Sequence, residues 1–345
     1  MSFISEIRPG DIRENRQMDA LLLQEGIRRD GNLDYSCGLF DDDWELTATG
    51  SCFGNTIRCL AVSHEHQGEG LLNQVVSHLA EVQAQRGNTH LFLYTKVQSA
   101  KFFGDLDFHE IARVEDRLVF MENRRHGFAD YCAALARHRR EGSSAAIVMN
   151  ANPFTLGHLH LVERAAAEND TVHLFVLSEE AGPIPFAVRR RLVREGTAHL
   201  PNVRCHDSGP YMISSATFPS YFLRDEDTVI CTHAALDLAV FRRIAPCLGI
   251  TRRYVGEEPS SHVTALYNQV MAQRLPEAGI ECRIIPRLET EGRVVSASTV
   301  RQAIHDGALE QIRDMLPPST LRFFTSPEAA PVIRAIRAET DVVHY

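Results

Sequence analysis

The chain has 345 residues, 44% of them hydrophobic and 23% charged, which is long enough for two domains that each bury a core. Its formal charge of -9 argues against a general nucleic-acid binder but leaves open a local basic site for nucleotide phosphate. No apolar run reaches transmembrane length and the opening MSFISEIRPGDIREN lacks a basic-then-apolar leader, so a cytoplasmic protein is expected.

Residues 1–125 alternate strand-like and helix-like stretches. Met18, Leu21, Leu22 and Glu25 predict a helix from Arg16 to Arg28, ending before the turn-rich Asp30-Gly31-Asn32. Trp44 to Cys52 and Thr56 to Val62 read as neighbouring strands joined by Phe53-Gly54-Asn55. After the polar turn Ser63 to Gly70, Leu71, Val75, Leu79 and Val82 keep helical period to Gln85, and His90 to Tyr94 reads as the next strand. A strand, a glycine-bearing turn and a helix together suit phosphate, because the free N–H groups and positive dipole end of the helix face whatever lies beyond the strand.

The turn Gln67-Gly68-Glu69-Gly70-Leu71-Leu72 resembles the Q/R-x-x-G-x-G/A loop with which GCN5-related acetyltransferases (GNAT) hold the pyrophosphate of acyl-CoA, and Ala100 to Ile111 is similar to a late segment of that fold. The resemblance implies a GNAT-like domain over 1–125 and makes Gln67, Gly68 and Gly70 its ligand-holding residues. Leu72 and Asp107 stand where that family carries small residues, so a degenerate domain kept for binding or scaffolding fits as well as an acetyltransferase does.

Asn123 to Gly142 is dense in basic residues and reads as a solvated linker helix over 126–142 with Phe128, Tyr131 and Leu135 as its apolar stripe. A second domain, 143–324, alternates cleanly. Strands are predicted at Ala145 to Met149, Thr171 to Leu177, Val203 to His206, Asp227 to Thr232, Arg253 to Val255 and Cys282 to Ile285. Helices fall between them, among them one at Ala187 to His199 carrying Arg189, Arg190, Arg191 and Arg194, and one through Leu236 to Ala245. That alternation implies an α/β Rossmann-like parallel sheet with its ligand at the carboxyl ends of the strands. The tail 325–345, with two prolines, is expected to pack loosely. The eight cysteines show no metal or redox spacing, so neither a disulfide nor a resident metal is expected.

After the first of these strands comes Asn150 to Gly157, then a helix on which His158, Leu161, Val162, Ala165 and Ala166 share one face. Thr155-Leu156-Gly157-His158 resembles the signature of the (T/H)xGH nucleotidyltransferases. Ser296-Ala297-Ser298-Thr299-Val300-Arg301 looks like that superfamily's ISSxxIR loop, in which hydroxyls and an arginine hold the outer phosphates of ATP. Attack on the α-phosphate needs a nucleophile held in line and donors where charge accumulates on the phosphoryl oxygens. The resemblance therefore implies ATP with Mg²⁺ as cofactors, His158, Thr155 and Arg301 as catalytic groups, and Asn152, Phe154, Gly157, Arg189, Ser296, Ser298 and Thr299 as nucleotide contacts. Where related enzymes carry Lys and Arg, this chain reads Ser178-Glu179-Glu180-Ala181-Gly182-Pro183, so either Arg189 or Arg190 supplies the missing cation or activity is weakened toward adenylate binding without full turnover.

The acceptor is narrowed by further likeness. MNANPFTLGHLHLVERAA, SATFPSYFL (215–223), YVGEEP (254–259), VTALYN (263–268) and SASTVR (296–301), in that order behind an acetyltransferase-like domain, resemble the citrate lyase ligase family. That resemblance implies an acid–thiol ligase. It would activate acetate to acetyl-AMP with release of pyrophosphate, then acetylate the prosthetic-group thiol on the acyl carrier subunit of citrate lyase. His262 is a candidate to favour the thiolate in the second step. The alternatives are an adenylyltransferase joining AMP to a phosphorylated acceptor, such as phosphopantetheine or a pyridine mononucleotide, and an acyl-CoA-binding regulatory protein.

Overall fold

The computed structural model describes residues 2–180, 182–212, 218, 226–257, 262–290 and 292–339. The chain divides into two units, one formed by Met1–Asp130 with Pro219–Thr232 and the other by Tyr131–Phe218 with His233–Tyr345. Of the segments quoted above, SATFPSYFL apart from Phe218, the end of YVGEEP, and Ala181 lie outside the described residues.

In the first unit the elements are β1 (Phe3–Glu6), α1 (Ile12–Gln24), β2 (Tyr35–Phe40), β3 (Leu46–Phe53), β4 (Thr56–Val62), α2 (Leu71–Gln85), β5 (Phe92–Thr95), α3 (Ala100–Asp105), β6 (His109–Val114) and β7 (Leu118–Glu122). The strands make one sheet in the order β1-β2-β3-β4-β5-β7-β6. Every pairing is antiparallel except β4 with β5, which is parallel and limited to Thr56 with Phe92 and Ile57 with Leu93. Beyond those two pairs the strands part, so the sheet opens where α2 begins. Val75 and Leu79 of α2 pack on Leu93, Val119 and Met121 of the sheet, each such burial being worth roughly 1.5–3 kcal/mol. The helix expected from Arg16 runs instead from Ile12 to Gln24. Its apolar stripe of Met18, Leu21 and Leu22 is buried as the spacing requires.

The helix α4 (Gly127–Ala136) comes next in the chain and is followed by β8 (Ser144–Met149), α5 (Leu156–Glu168), β9 (Thr171–Val176), α6 (Phe186–Gly196), β10 (Val203–Asp207), α7 (Glu226–Leu248), β11 (Arg252–Gly256), α8 (His262–Arg274) and β12 (Glu281–Ile285). Two short strands, β13 (Glu289–Thr290) and β14 (Arg293–Val294), pair as a hairpin before α9 (Ala297–His305), α10 (Pro318–Phe324) and α11 (Ala330–Ala338). The second unit holds a five-stranded parallel sheet in the order β10-β9-β8-β11-β12. The chain starts in the middle, moves outward through β9 and β10, then returns to the other side of β8. The switch point therefore lies between β8 and β11, the place where doubly wound sheets bind ligands. These two strands pair only at Arg252 with Ala145 and Arg253 with Ala146, and they separate toward their carboxyl ends.

Two expectations are corrected. Asp227 to Thr232 is not a strand; it forms the first turns of α7. Its β-branched residues suggested a strand, but buried Ile230, Ala234, Leu238, Phe241, Ala245 and Leu248 recur every three or four residues, and this single apolar face carries the helix through. The tail does not pack loosely up to Glu339. Val332 and Ile336 of α11 are buried in the same core as Val300, Ile304 and Met315. All eight cysteines are free thiols, and no described helix is long and apolar enough to cross a membrane.

Candidate active site

Strand β8 delivers the chain to the switch point at Met149, and the loop Asn150 to Thr155 turns it back into α5. Thr155 is the N-cap of that helix, and its hydroxyl accepts from the backbone N–H of His158 at 3.4 Å. His158 completes the capping box, because its Nδ1 accepts the backbone N–H of Thr155 at 3.1 Å and lies 2.9 Å from the Thr155 hydroxyl. A ring nitrogen that accepts from an amide carries no proton, so the proton of the neutral ring is on Nε2. Burial first, then the positive fields of Arg287 and Arg301, pull this histidine down to about 4. At neutral pH, His158 is therefore an uncharged N–H donor, held in one orientation by the helix it caps. Phe154 stacks against it with ring centroids 5.9 Å apart, but that phenyl ring is fully buried and closes against Gly196 in the core.

The second motif meets the first across about 140 residues of chain. A Cβ placed on Gly157 would stand 3.0 Å from the carbonyl oxygen of Val295, so any larger residue would press the two segments apart by a few tenths of an ångström. Arg301, buried on α9, donates to the carbonyl of Asn152 at 2.6 Å. Ser296 caps α9, accepting the Thr299 N–H at 3.0 Å, with its hydroxyl 2.9 Å from that of Ser298 and 2.7 Å from that of Thr299. The beginnings of α5 and α9 are thus juxtaposed. Asn152, only 3% exposed, has both side-chain amide atoms without a partner in the protein. An orphaned buried amide costs on the order of 1–3 kcal/mol unless a ligand satisfies it, so this position fits a bound nucleotide.

Arg189 is engaged with the main chain. Its guanidinium is fully buried and donates to the carbonyls of Ile184, Asn150, Leu177 and Glu179 and to Asn150 Oδ1, which ties the ends of β8 and β9 together. Arg190 is paired with Asp207 at 2.8 Å. Neither is turned to the T-x-G-H turn as a spare cation. Arg287, just past the carboxyl end of β12, is the residue that the sequence reading missed: its charge acts on His158, and its Nε donates to the carbonyl of Glu257. A basic residue directly after a parallel strand was the available signal. His262 opens α8 at the surface.

In the first unit, Gln67, Gly68 and Gly70 line a cavity of about 590 Å³ opened by the parting of β4 and β5, with Leu60, Val62, Tyr94 and Lys96 on its walls. Gly70 is the N-cap of α2, and Cβ atoms placed on Gly68 or Gly70 would meet nothing within 4 Å.

Residues 144–324 match the family described as "Citrate lyase ligase C-terminal domain". The citrate (pro-3S)-lyase ligase of Klebsiella pneumoniae is 41% identical over 284 residues, covering 81% of this chain and 83% of that protein. The Escherichia coli K12 protein of the same name is 38% identical over 288 residues, covering 81% and 82%. Among solved structures, the ribosomal-protein-S18-alanine N-acetyltransferase of E. coli is 16% identical with a TM-score of 0.28, covering 35% of this chain and 92% of its own.

Proposed function

This chain belongs to the citrate lyase ligase family, and on that premise we propose how its second unit carries out the reaction. The protein is an acid–thiol ligase with citrate lyase as its substrate partner, and it activates that enzyme by acetylation. For the chemistry, ATP seats its triphosphate between the starts of α5 and α9, and Mg²⁺ brought in with the nucleotide would neutralise part of the phosphate charge. Nε2–H of His158, the Asn152 amide and the hydroxyls of Ser298 and Thr299 face the phosphoryl oxygens, and Arg287 and Arg301 supply the positive field. They take the place of the cations absent from 178–183. Gly157 lets the phosphates approach the backbone, while Phe154, Thr155 and Arg189 position these groups.

Acetate is already ionised at neutral pH, so one of its oxygens attacks the α-phosphorus without a base. The bond from that phosphorus to the bridging oxygen breaks, and pyrophosphate leaves with the electron pair. Charge that builds on the phosphoryl oxygens in between is met by donors already in position, the largest single source of rate in such sites. The carrier thiolate then attacks the carbonyl carbon of acetyl-AMP, and AMP departs. The observation that carries this reading is the closure of Val295 to Arg301 onto the T-x-G-H turn, with the Asn152 amide unpartnered beside it.

The test is pyrophosphate release from ATP with and without acetate. Acetate-dependent release supports the ligase chemistry; release that needs a phosphorylated acceptor instead, or acetyl-CoA consumption without ATP, rejects it. For the first unit, the cavity beside Gly68 and Gly70 would hold the CoA-like arm of the carrier subunit. Replacing both glycines by valine should raise the apparent KM for the carrier at least tenfold while leaving acetate-dependent pyrophosphate release intact. An unchanged carrier KM removes that assignment.

A further inference from the structure

Two basic features of the sequence find no use in the nucleotide site: the run that ends at Arg140, and Arg194 near the end of α6. In the second unit they converge. His138 and Arg140, Arg194 near the end of α6, and Arg204 and His206 on β10 line one concave pocket of about 510 Å³ along the outer edge of the sheet. It shares no lining residue with the His158 site, and its volume lies within the range of small-molecule sites.

The charge of this pocket runs against that of the chain. Acids outnumber Lys and Arg by 45 to 36 overall, yet the pocket wall carries three arginines, two histidines and no carboxylate. Arg194 and Arg204 form no ion pair among the described residues. The neighbouring acids are engaged elsewhere: Asp207 with Arg190, Glu195 with Arg191 and Arg322, and Glu163 with His199. The floor is equally short of counter-charge. His206 is buried, hydrogen-bonded to the fully buried His173 at 2.9 Å, with the His138 ring 5.1 Å away. Nε2 of His173 has no partner in the protein. Guanidinium groups left unpaired around a concavity present forked donors that match phosphate and carboxylate oxygens.

We propose that this pocket is a second, regulatory or positioning site for a small polyanion bearing two or more phosphate or carboxylate groups. Arg194 and Arg204 grip it from the rim, Arg140 closes over it, and His206 forms the floor. The proposal does not depend on how the nucleotide site works.

The experiment uses inorganic pyrophosphate and citrate as probes for the phosphate and carboxylate sources. Each is titrated calorimetrically into the full chain, into R194S/R204S, into R140S, and into R287S, which weakens the nucleotide site only. All three pocket arginines are exposed, so the variants should melt as the parent does. At least one probe should bind with sub-millimolar affinity, lose tenfold or more in R194S/R204S and several-fold in R140S, and keep that affinity in R287S. Which probe binds identifies the source. Binding of neither probe overturns the proposal, as do equal binding to R194S/R204S and the parent, or a loss confined to R287S.

Discussion

Replacing His158 with alanine separates the donor role proposed for its ring from the capping contact the ring makes. On the phosphate side the substitution removes one fixed N–H donor, and the loss of such a donor typically lowers the rate by about 10²–10³, or roughly 3–4 kcal/mol of barrier. On the fold side it removes Nδ1 from the Thr155 N–H, a capping contact worth about 0.5–2 kcal/mol. In a unit of this size that is a fall in melting temperature of a few degrees. The assay is acetate-dependent pyrophosphate release at saturating ATP, run beside thermal melting. Because the ring of the free protein is held down to about 4, only about 1% of it is protonated at pH 6, so its contribution to kcat/KM for ATP should be flat from pH 6 to 8. An alanine variant that turns over within threefold of the parent would refute the donor role and leave His158 as a cap alone. A parent whose kcat/KM for ATP rises steeply as pH falls from 8 to 6 would show the charged ring at work and refute the tautomer argument.

Gly157→Ala sets a methyl group 3.0 Å from the Val295 carbonyl and should push the Ser296 segment away, raising the KM for ATP about tenfold; an unchanged KM would mean that the two segments need not touch. Arg189→Ala strips four carbonyls of their buried donor and should cost about 3 kcal/mol or more in urea unfolding, whereas a normal unfolding midpoint with a raised KM for ATP would assign it to phosphate after all. His173 and His206 are lowered to about 4 and about 3, by burial first and then by neighbouring positive groups. The unfolded chain takes up those protons near pH 6.5 and the folded chain only near 3–4. Stability is thus full above pH 6.5 and falls as the pH drops through that window, by up to about 1.4 kcal/mol per pH unit for each histidine. Urea midpoints at pH 7 and pH 5 should differ more for the parent than for H173Q/H206Q, and equal differences would reject this account.

What the sequence disclosed follows the range of the interactions involved. The T-x-G-H turn was legible because its glycine, cap and histidine are set within four residues by helix geometry. The S-x-S-T-x-R loop was legible only through its resemblance to a known phosphate-holding motif, and the parallel sheet showed in the alternation of its elements. Asp227 to Thr232 was misread because its β-branched residues outweighed an apolar periodicity that becomes plain only once the later turns, to Leu248, are included. The role of Arg189 was hidden because a buried arginine that collects carbonyls and one that collects phosphates look alike in sequence. Arg287 offered only the weak signal of a basic residue after a strand, and Asn152, though part of the motif, gave no sign that its amide would be left orphaned. Their meaning comes from strand ends that only the folded sheet brings together.

The capping box at the start of α5 makes one ring answer to two selective demands. For helix stability alone, glutamate is the common residue at the third helical position, since its carboxylate also accepts the N-cap amide. Here that choice would preserve the helix while setting a negative charge against incoming triphosphate. Stabilisation guided by helix energetics alone would accordingly favour H158E, and the product should fold well and turn over poorly.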